Sequence, residues 1–213
     1  MLATEGSDSK IMRMKLVLLL AVFAMVSTPA LAQNGRSEFS ADFFANYQST
    51  VSGQNVSDLS SYSGGFLADY RYHFSSWGAV EVNYSRTRYT QFYSGGSGLV
   101  TSWTQAEAQE LTLAFVYTFG SHFNGHLKPF AEGGTGGLFW SPITAGSVGG
   151  PYSQDRAALL YGGGVDWKLF SHVSARAGYR GLLFVAPDFN QAGQFTNART
   201  QMKEPYAGIV IRF

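Results

Sequence analysis

His122 and His126 stand four residues apart, the spacing at which two imidazoles on one helical face can share a metal ion. Their surroundings, GSHFNGH, read as a turn and hold no carboxylate or cysteine beside them, so exposed or interfacial histidines are the expectation. His73 and His172 complete the set of four, and all four fall near short predicted turns. A His–Ser pair is a second chemistry to look for, because an imidazole can activate a hydroxyl for acyl transfer. The glycine clusters Gly95–Gly98, Gly133–Gly137 and Gly162–Gly164 would suit phosphate only between a strand and a helix, and no such setting surrounds them. The chain has no cysteine, which removes disulfide scaffolds and thiol-based metal or redox sites. No catalytic, cofactor or metal residue is therefore assigned, and no cofactor is expected.

The charged residues are more informative. Asp42, Asp69, Arg71, Glu81, Glu110, Glu132, Asp166, Arg176, Arg180 and Arg212 are isolated charges of both signs set among Gly, Ser, Thr and Asn. Each lies opposite an apolar face in a stretch with a period of two. SEFSADFFANYQ puts Phe39, Ala41, Phe43, Ala45 and Tyr47 on one side and Glu38, Ser40, Asp42 and Asn46 on the other. GFLADYRYHF, AVEVNYS and ELTLAFVYTF alternate the same way. KPFAEGGTGGLFW, ALLYGGGVDWKLF, VSARAGYRGLLF and the closing YAGIVIRF make eight strands in all, and nothing after Arg36 carries a helical period.

The connections alternate in length. SSW, GSHFNGH and SH are short, while Gln48–Ser61, Tyr89–Gln105, Ser141–Gln154 and Ala186–Met202 are long and rich in Ser, Gly, Gln, Asn and Tyr. Short turns at one end and long loops at the other predict an all-β, eight-stranded, antiparallel up-and-down barrel. Keeping the apolar faces matched across the short turns places Arg71 opposite Glu81, Asp69 opposite Asn83, and Asp166 beside Arg176. These are the predicted ion pairs of a lumen that eight strands make just wide enough for side chains.

Composition helps decide which face is outside. Aromatics are 15% of residues and charges only 14%, against roughly 25% charged in soluble domains. Phe74, Trp77, Phe119, Phe123, Phe130, Trp167, Phe170 and Phe213 cluster towards the short-turn ends. Tyr47, Tyr84, Trp103, Phe139 and Trp140 cluster towards the long-loop ends. Two such belts are what a lipid-facing wall requires. A soluble, periplasmic, lipocalin-like barrel would instead bury the apolar face.

The N-terminus reads as an export signal. Arg13 and Lys15 precede the apolar run Leu16–Val26, and Ala30 and Ala32 occupy the small-x-small exit, so cleavage is expected after Ala32. Eleven apolar residues are too few to span a bilayer as a helix. Residues 1–32 are then signal peptide and 33–213 the barrel. Removing Lys10, Arg13 and Lys15 with Glu5 and Asp8 from 15 basic and 14 acidic residues leaves 12 of each. A neutral mature chain argues against nucleic acid as partner.

YAGIVIRF resembles the C-terminal signal of bacterial outer-membrane barrels, whose last strand alternates and ends on an aromatic. KPFAEGGTGG and SARAGYRG resemble strands five and seven of small eight-stranded barrels such as the OmpA transmembrane domain and the OmpX/Ail group. The resemblance implies that Tyr206, Ile209, Ile211 and Phe213 are read by the barrel-assembly machinery, and that the address is the bacterial outer membrane. It implies outer-membrane lipid as the surroundings and an extracellular ligand at the long loops. The expected role is envelope integrity or adhesin-like surface contact without catalysis. A narrow channel and a barrel-embedded lipid-modifying enzyme are the alternatives. In the enzyme, histidine would be needed near the outer leaflet, and here it stands at the other end.

Overall fold

The computed structural model describes residues 36–54, 56–95, 100–122, 125–146, 152–191 and 196–213. The expected leader, with Ala30 and Ala32, lies outside them, as does Phe123. The strands are β1 (Ser37–Gln48), β2 (Val51–Gly53), β3 (Val56–Ser60), β4 (Ser63–His73), β5 (Gly78–Ser94), β6 (Val100–Thr118), β7 (Leu127–Ala145), β8 (Gln154–Lys168), β9 (Val173–Val185) and β10 (Arg199–Arg212). Among the described residues there is no helix.

Eight of these strands close into a barrel in the order β5-β4-β1-β10-β9-β8-β7-β6, and β6 returns to β5. Every pairing is antiparallel. The seam is the pairing of the first and last strands, from Glu38 with Arg212 up to Gln48 with Met202. Outward residues trace the stagger of the wall. From Gln109 the ladder steps through Arg86, Phe66 and Phe43 to Ala207, then through Ala177, Val165 and Pro129. It returns just past the end of β6, at Phe119, whose N–H donates to the Pro129 carbonyl, rather than at Gln109. That offset tilts the strands and sets the barrel's width.

The period-two pattern resolves as lipid-facing outside and polar inside. Phe43 is 76% exposed, whereas its neighbour Asp42 has no exposed surface. Phe39, Phe66, Leu113, Phe115, Leu159, Leu183, Ile209 and Ile211 all face outward, and a buried apolar core is absent from that side. Phe74, Trp77, Phe115, Tyr117 and Phe119 contact one another edge-on or tilted near the short-turn end, forming part of the expected belt.

Two belt residues turn inward instead. Phe130 and Trp140 are both buried, and with Phe44 and Tyr206 they line the lumen. The reason is room. Phe44 lies beside Gly65, Phe130 beside Gly164 and Tyr206 beside Gly178, each directly across a strand pair. A Cβ built on any of these glycines would fall under 3.0 Å from the ring. Glycine on one strand thus makes the space that an aromatic on the next strand fills, a pairing that also pins register.

The long connections are shorter as loops than expected. Much of Tyr89–Gln105 is strand, because β5 and β6 remain paired up to Ser94 and Val100. β7 likewise runs to Ala145, and the first link contains the β2–β3 hairpin, whose β3 joins the upper part of β5. The β-rich loop sequence is used to prolong the wall beyond the membrane.

Candidate functional site

The lumen holds the charged residues in two layers. In the layer nearer the short turns, Arg71 Nε donates to Glu81 Oε2 at 2.6 Å. Arg176 donates to Asp166 at 2.7 Å, to Asp69 at 2.8 Å and to Glu38 at 3.3 Å. Glu38 also receives Arg212 and lies 3.0 Å from His73 Nε2. Ser40 donates to Asp69 at 2.7 Å and also to Asp42. The Arg71 and Arg176 guanidinium carbons lie 4.4 and 5.2 Å from the Phe130 ring centroid, adding a cation–π contact to the ion pairs.

The second layer lies towards the long loops. Arg180 donates to Glu204 at 2.7 Å and to Glu110 at 2.5 Å. Ser85 and Thr112 donate to the same Glu110 carboxylate at 2.8 and 3.0 Å. Phe44 stands 5.7 Å from the Arg180 guanidinium carbon. The register places Arg71 across from Glu81, Asp69 from Asn83 and Asp166 from Arg176, all with buried side chains. Glu38, on the polar face of the first strand, takes part as well, and Glu204 is a member that sequence reasoning missed. Glu204 was hidden because the last strand reads as starting at Tyr206, whereas it starts at Arg199, and parity then brings Glu204 inward.

Above the charges the lumen is apolar. Tyr89, Tyr93, Leu138, Trp140, Leu160, Leu182, Phe184, Phe189 and Met202 form a packed cluster, with the Trp140 indole donating to the Tyr89 hydroxyl. The segment after β9 folds over this cluster. Its Phe189 has no exposed surface, Tyr93 donates to the Pro187 carbonyl at 2.9 Å, and Gln154 bonds Asp188 through both side chain and backbone. The short-turn end is more open: a cavity of about 630 Å³ is lined by Arg36, His73, Trp77, Lys128, Asp166 and Arg212, among others.

The other sequence candidates are dispersed. His122 pairs with Leu127 through the backbone, His126 Nδ1 lies 3.3 Å from the Lys168 carbonyl, and His172 Nδ1 lies 2.9 Å from Ser171 Oγ. Ser171 and His172 sit exposed in a short turn, far from the long-loop end. Among the described residues no group of three or more His, Cys, Asp or Glu could hold a metal ion. Ile209, Ile211 and Phe213 face outward together, while Tyr206 is buried on the lumen side.

These features define an outer-membrane class of barrel: an apolar outside, a closed ladder and a charged inside. The outer membrane protein β-barrel domain family matches residues 18–201, and the chain belongs to that family. It is a protein of the bacterial outer membrane. Among solved structures it is similar to Neisserial surface protein A (17% identity, 83% of this chain and 97% of that one, TM-score 0.58). It is also similar to OprG from Pseudomonas aeruginosa (13% identity, 83% and 95%, TM-score 0.61). A third similar structure is Ail of Yersinia pestis (16% identity, 83% and 99%, TM-score 0.47). At these identities the likeness to the first two shows the fold. No curated protein sequence matches the chain.

Two outcomes test the site's energetics. Arg176→Met leaves Asp69, Glu38 and Asp166 without their shared cation, so it should destabilise the barrel by about 3–5 kcal/mol. Urea unfolding of the refolded protein in lipid vesicles reads this, and an unchanged midpoint would contradict the network. Asp58, on β3 beyond the membrane, is buried and receives hydrogen bonds from the Gln48 and Gln91 amides, and burial pushes its pKa up to about 7. The docked β2–β3 hairpin therefore favours protonated Asp58. Its docking should be complete below the ordinary carboxylate pKa of about 4 and weaken as pH rises through about 7. Limited proteolysis of this hairpin should show that pH dependence, and Asp58→Asn should flatten it.

Proposed function

We propose that the protein is a non-catalytic outer-membrane barrel whose role is surface contact, carried on a sealed and ion-paired scaffold. The observation behind this reading is the continuation of β5, β6 and β7 past the charged lumen. β3 joins them to make a paired sheet that stands beyond the lipid band and presents Leu59, Phe92 and Trp103 on one face. A stiff sheet displays side chains at lower ordering cost than free loops do. The buried Arg71, Arg176 and Arg180, with the aromatic cluster above them, fill the space that a channel would need. The ion pairs Arg71–Glu81 and Asp166–Arg176 are read as structural filling. The fold's histidines, all at the short-turn end, offer no nucleophilic pair towards the outer leaflet.

Two measurements separate this from its rivals. In planar bilayers the purified barrel should give no sustained conductance steps, whereas steady openings would support the narrow channel. A variant with residues 90–104 replaced by a tight turn should keep its heat-dependent mobility in SDS yet lose adhesion of expressing cells to extracellular-matrix coatings. If adhesion is unchanged, or if wild-type cells never adhere, surface contact fails. A role limited to envelope integrity would then be read from entry of a bulky antibiotic.

The terminal row Ile209, Ile211 and Phe213 is proposed as the segment handed to the barrel-assembly machinery, with the mature chain starting at Gln33. Phe213→Ala should lower the yield in outer-membrane fractions several-fold without changing expression. The mass of the recovered protein should correspond to residues 33–213. A normal yield would count against the assembly role.

A further inference from the structure

The outer wall carries a charged feature that neither the lumen nor the surface sheet uses. Along β6 the outward residues are Tyr117, Phe115, Leu113 and Leu111, and then Gln109, Glu107 and Gln105. On neighbouring β5 they are Val80, Val82 and Tyr84, and then Arg86 and Arg88. The change from apolar to polar occurs at one level on both strands, because Arg86 pairs with Gln109 and Arg88 with Glu107. Lipid-facing arginine is costly at mid-membrane and tolerated at the interface. The level of Arg86 and Arg88 therefore marks the upper edge of the hydrocarbon, on the long-loop side, where the outer leaflet's headgroups lie.

At this edge there is a cleft of about 210 Å³ lined by Gly64, Arg86, Thr87, Arg88 and Glu107. Gly64 and its cross-strand partner Ala45 leave the floor without bulk, and a Cβ on Gly64 would meet only the Phe44 carbonyl at 3.5 Å. Both guanidinium groups are more than half exposed. Arg86 donates to Glu107 at 2.6 Å, while Arg88 approaches the same carboxylate only to 3.7 Å. Two cations thus share one acid and leave one positive charge over a small hollow. Guanidinium is the side chain whose planar donors best match phosphate oxygens.

We propose that this cleft binds a phosphate group of an outer-leaflet lipid, with Arg88 as the principal donor, Arg86 as the second, and Glu107 as the residue that limits affinity. The lipid's chains then lie against Tyr84, Phe66 and Phe43 on the apolar wall below. The site depends on the membrane placement of the barrel and not on the surface-contact role, so each can fail without the other.

Native mass spectrometry of the full mature barrel from detergent tests it, with bis-phosphorylated lipid A as probe and the same lipid stripped of phosphate as control. The wild type should retain the phosphorylated lipid and not the stripped one. R86Q/R88Q should reduce retention roughly tenfold or more, as loss of charge-assisted contacts implies. E107Q should increase retention by freeing both cations. R199Q, which removes one outward cation on β10, should leave it as in wild type. The heat shift in SDS confirms that each variant folds, and if R86Q/R88Q does not fold, the E107Q result decides alone. Equal retention by R86Q/R88Q, retention of the stripped lipid, or a fall with R199Q to the same extent would overturn the proposal. So would full displacement by millimolar inorganic phosphate, which would mark a free-anion site instead.

Discussion

Hydrocarbon offers no hydrogen-bond partner, so every backbone N–H and C=O within it must be paired by the chain itself. A sheet meets that demand only by having no edge. The pairing of β1 with β10 is consequently the contact on which the rest depends. It brings the two ends of the barrel domain together and fixes the stagger that returns the ladder to Phe119 rather than Gln109. Through that stagger it also sets the diameter of the lumen.

The diameter in turn dictates the chemistry inside. A lumen this narrow admits few waters, so a charge placed there needs a partner within hydrogen-bond reach. Arg176 meets Glu38, Asp69 and Asp166 from three other strands, and Arg180 meets Glu110 and Glu204 from two more. The contacts to Glu38, Asp69 and Glu110 tie strands that are not neighbours of β9, which backbone ladders cannot do. Aromatics set over glycines then occupy the remaining space, and the cluster around Trp140 and Phe189 closes the upper part. The wall outside answers to lipid alone, until the residues change character at Arg86 and Gln109.

The two-residue period was legible because each strand has one face in lipid and one in a polar lumen. Phe39, Phe43, Ile209 and Ile211 could go only outward, and Asp42, Asp69, Arg71 and Arg176 only inward. Register across the short turns followed from the same parity, which is why Arg71 could be set against Glu81 from sequence. What was not legible has more than one cause. Phe130 and Trp140 look like belt residues by type, and it is Gly164 across the strand pair that lets Phe130 turn inward. The extension of β5 and β6 and the added β2–β3 hairpin were hidden by Ser-, Gly- and Tyr-rich sequence that reads as loop. Glu204 was obscured by the Pro205 that follows it, since proline usually signals a strand's end. The Arg86–Arg88–Glu107 cleft depends on which outward residues share a level, and only the closed register supplies that.

The chain contains no cysteine, so single cysteines can be placed at will to ask which face meets lipid. The most direct measurement is spin labelling of positions 39–45 in β1, one at a time, with collision rates to oxygen and to a water-soluble nickel chelate in reconstituted vesicles. Phe39, Ala41, Phe43 and Ala45 should be open to oxygen and closed to nickel, while Ser40, Asp42 and Phe44 should be shielded from oxygen. The reverse alternation, or no alternation, would contradict a barrel that turns its apolar face to the membrane.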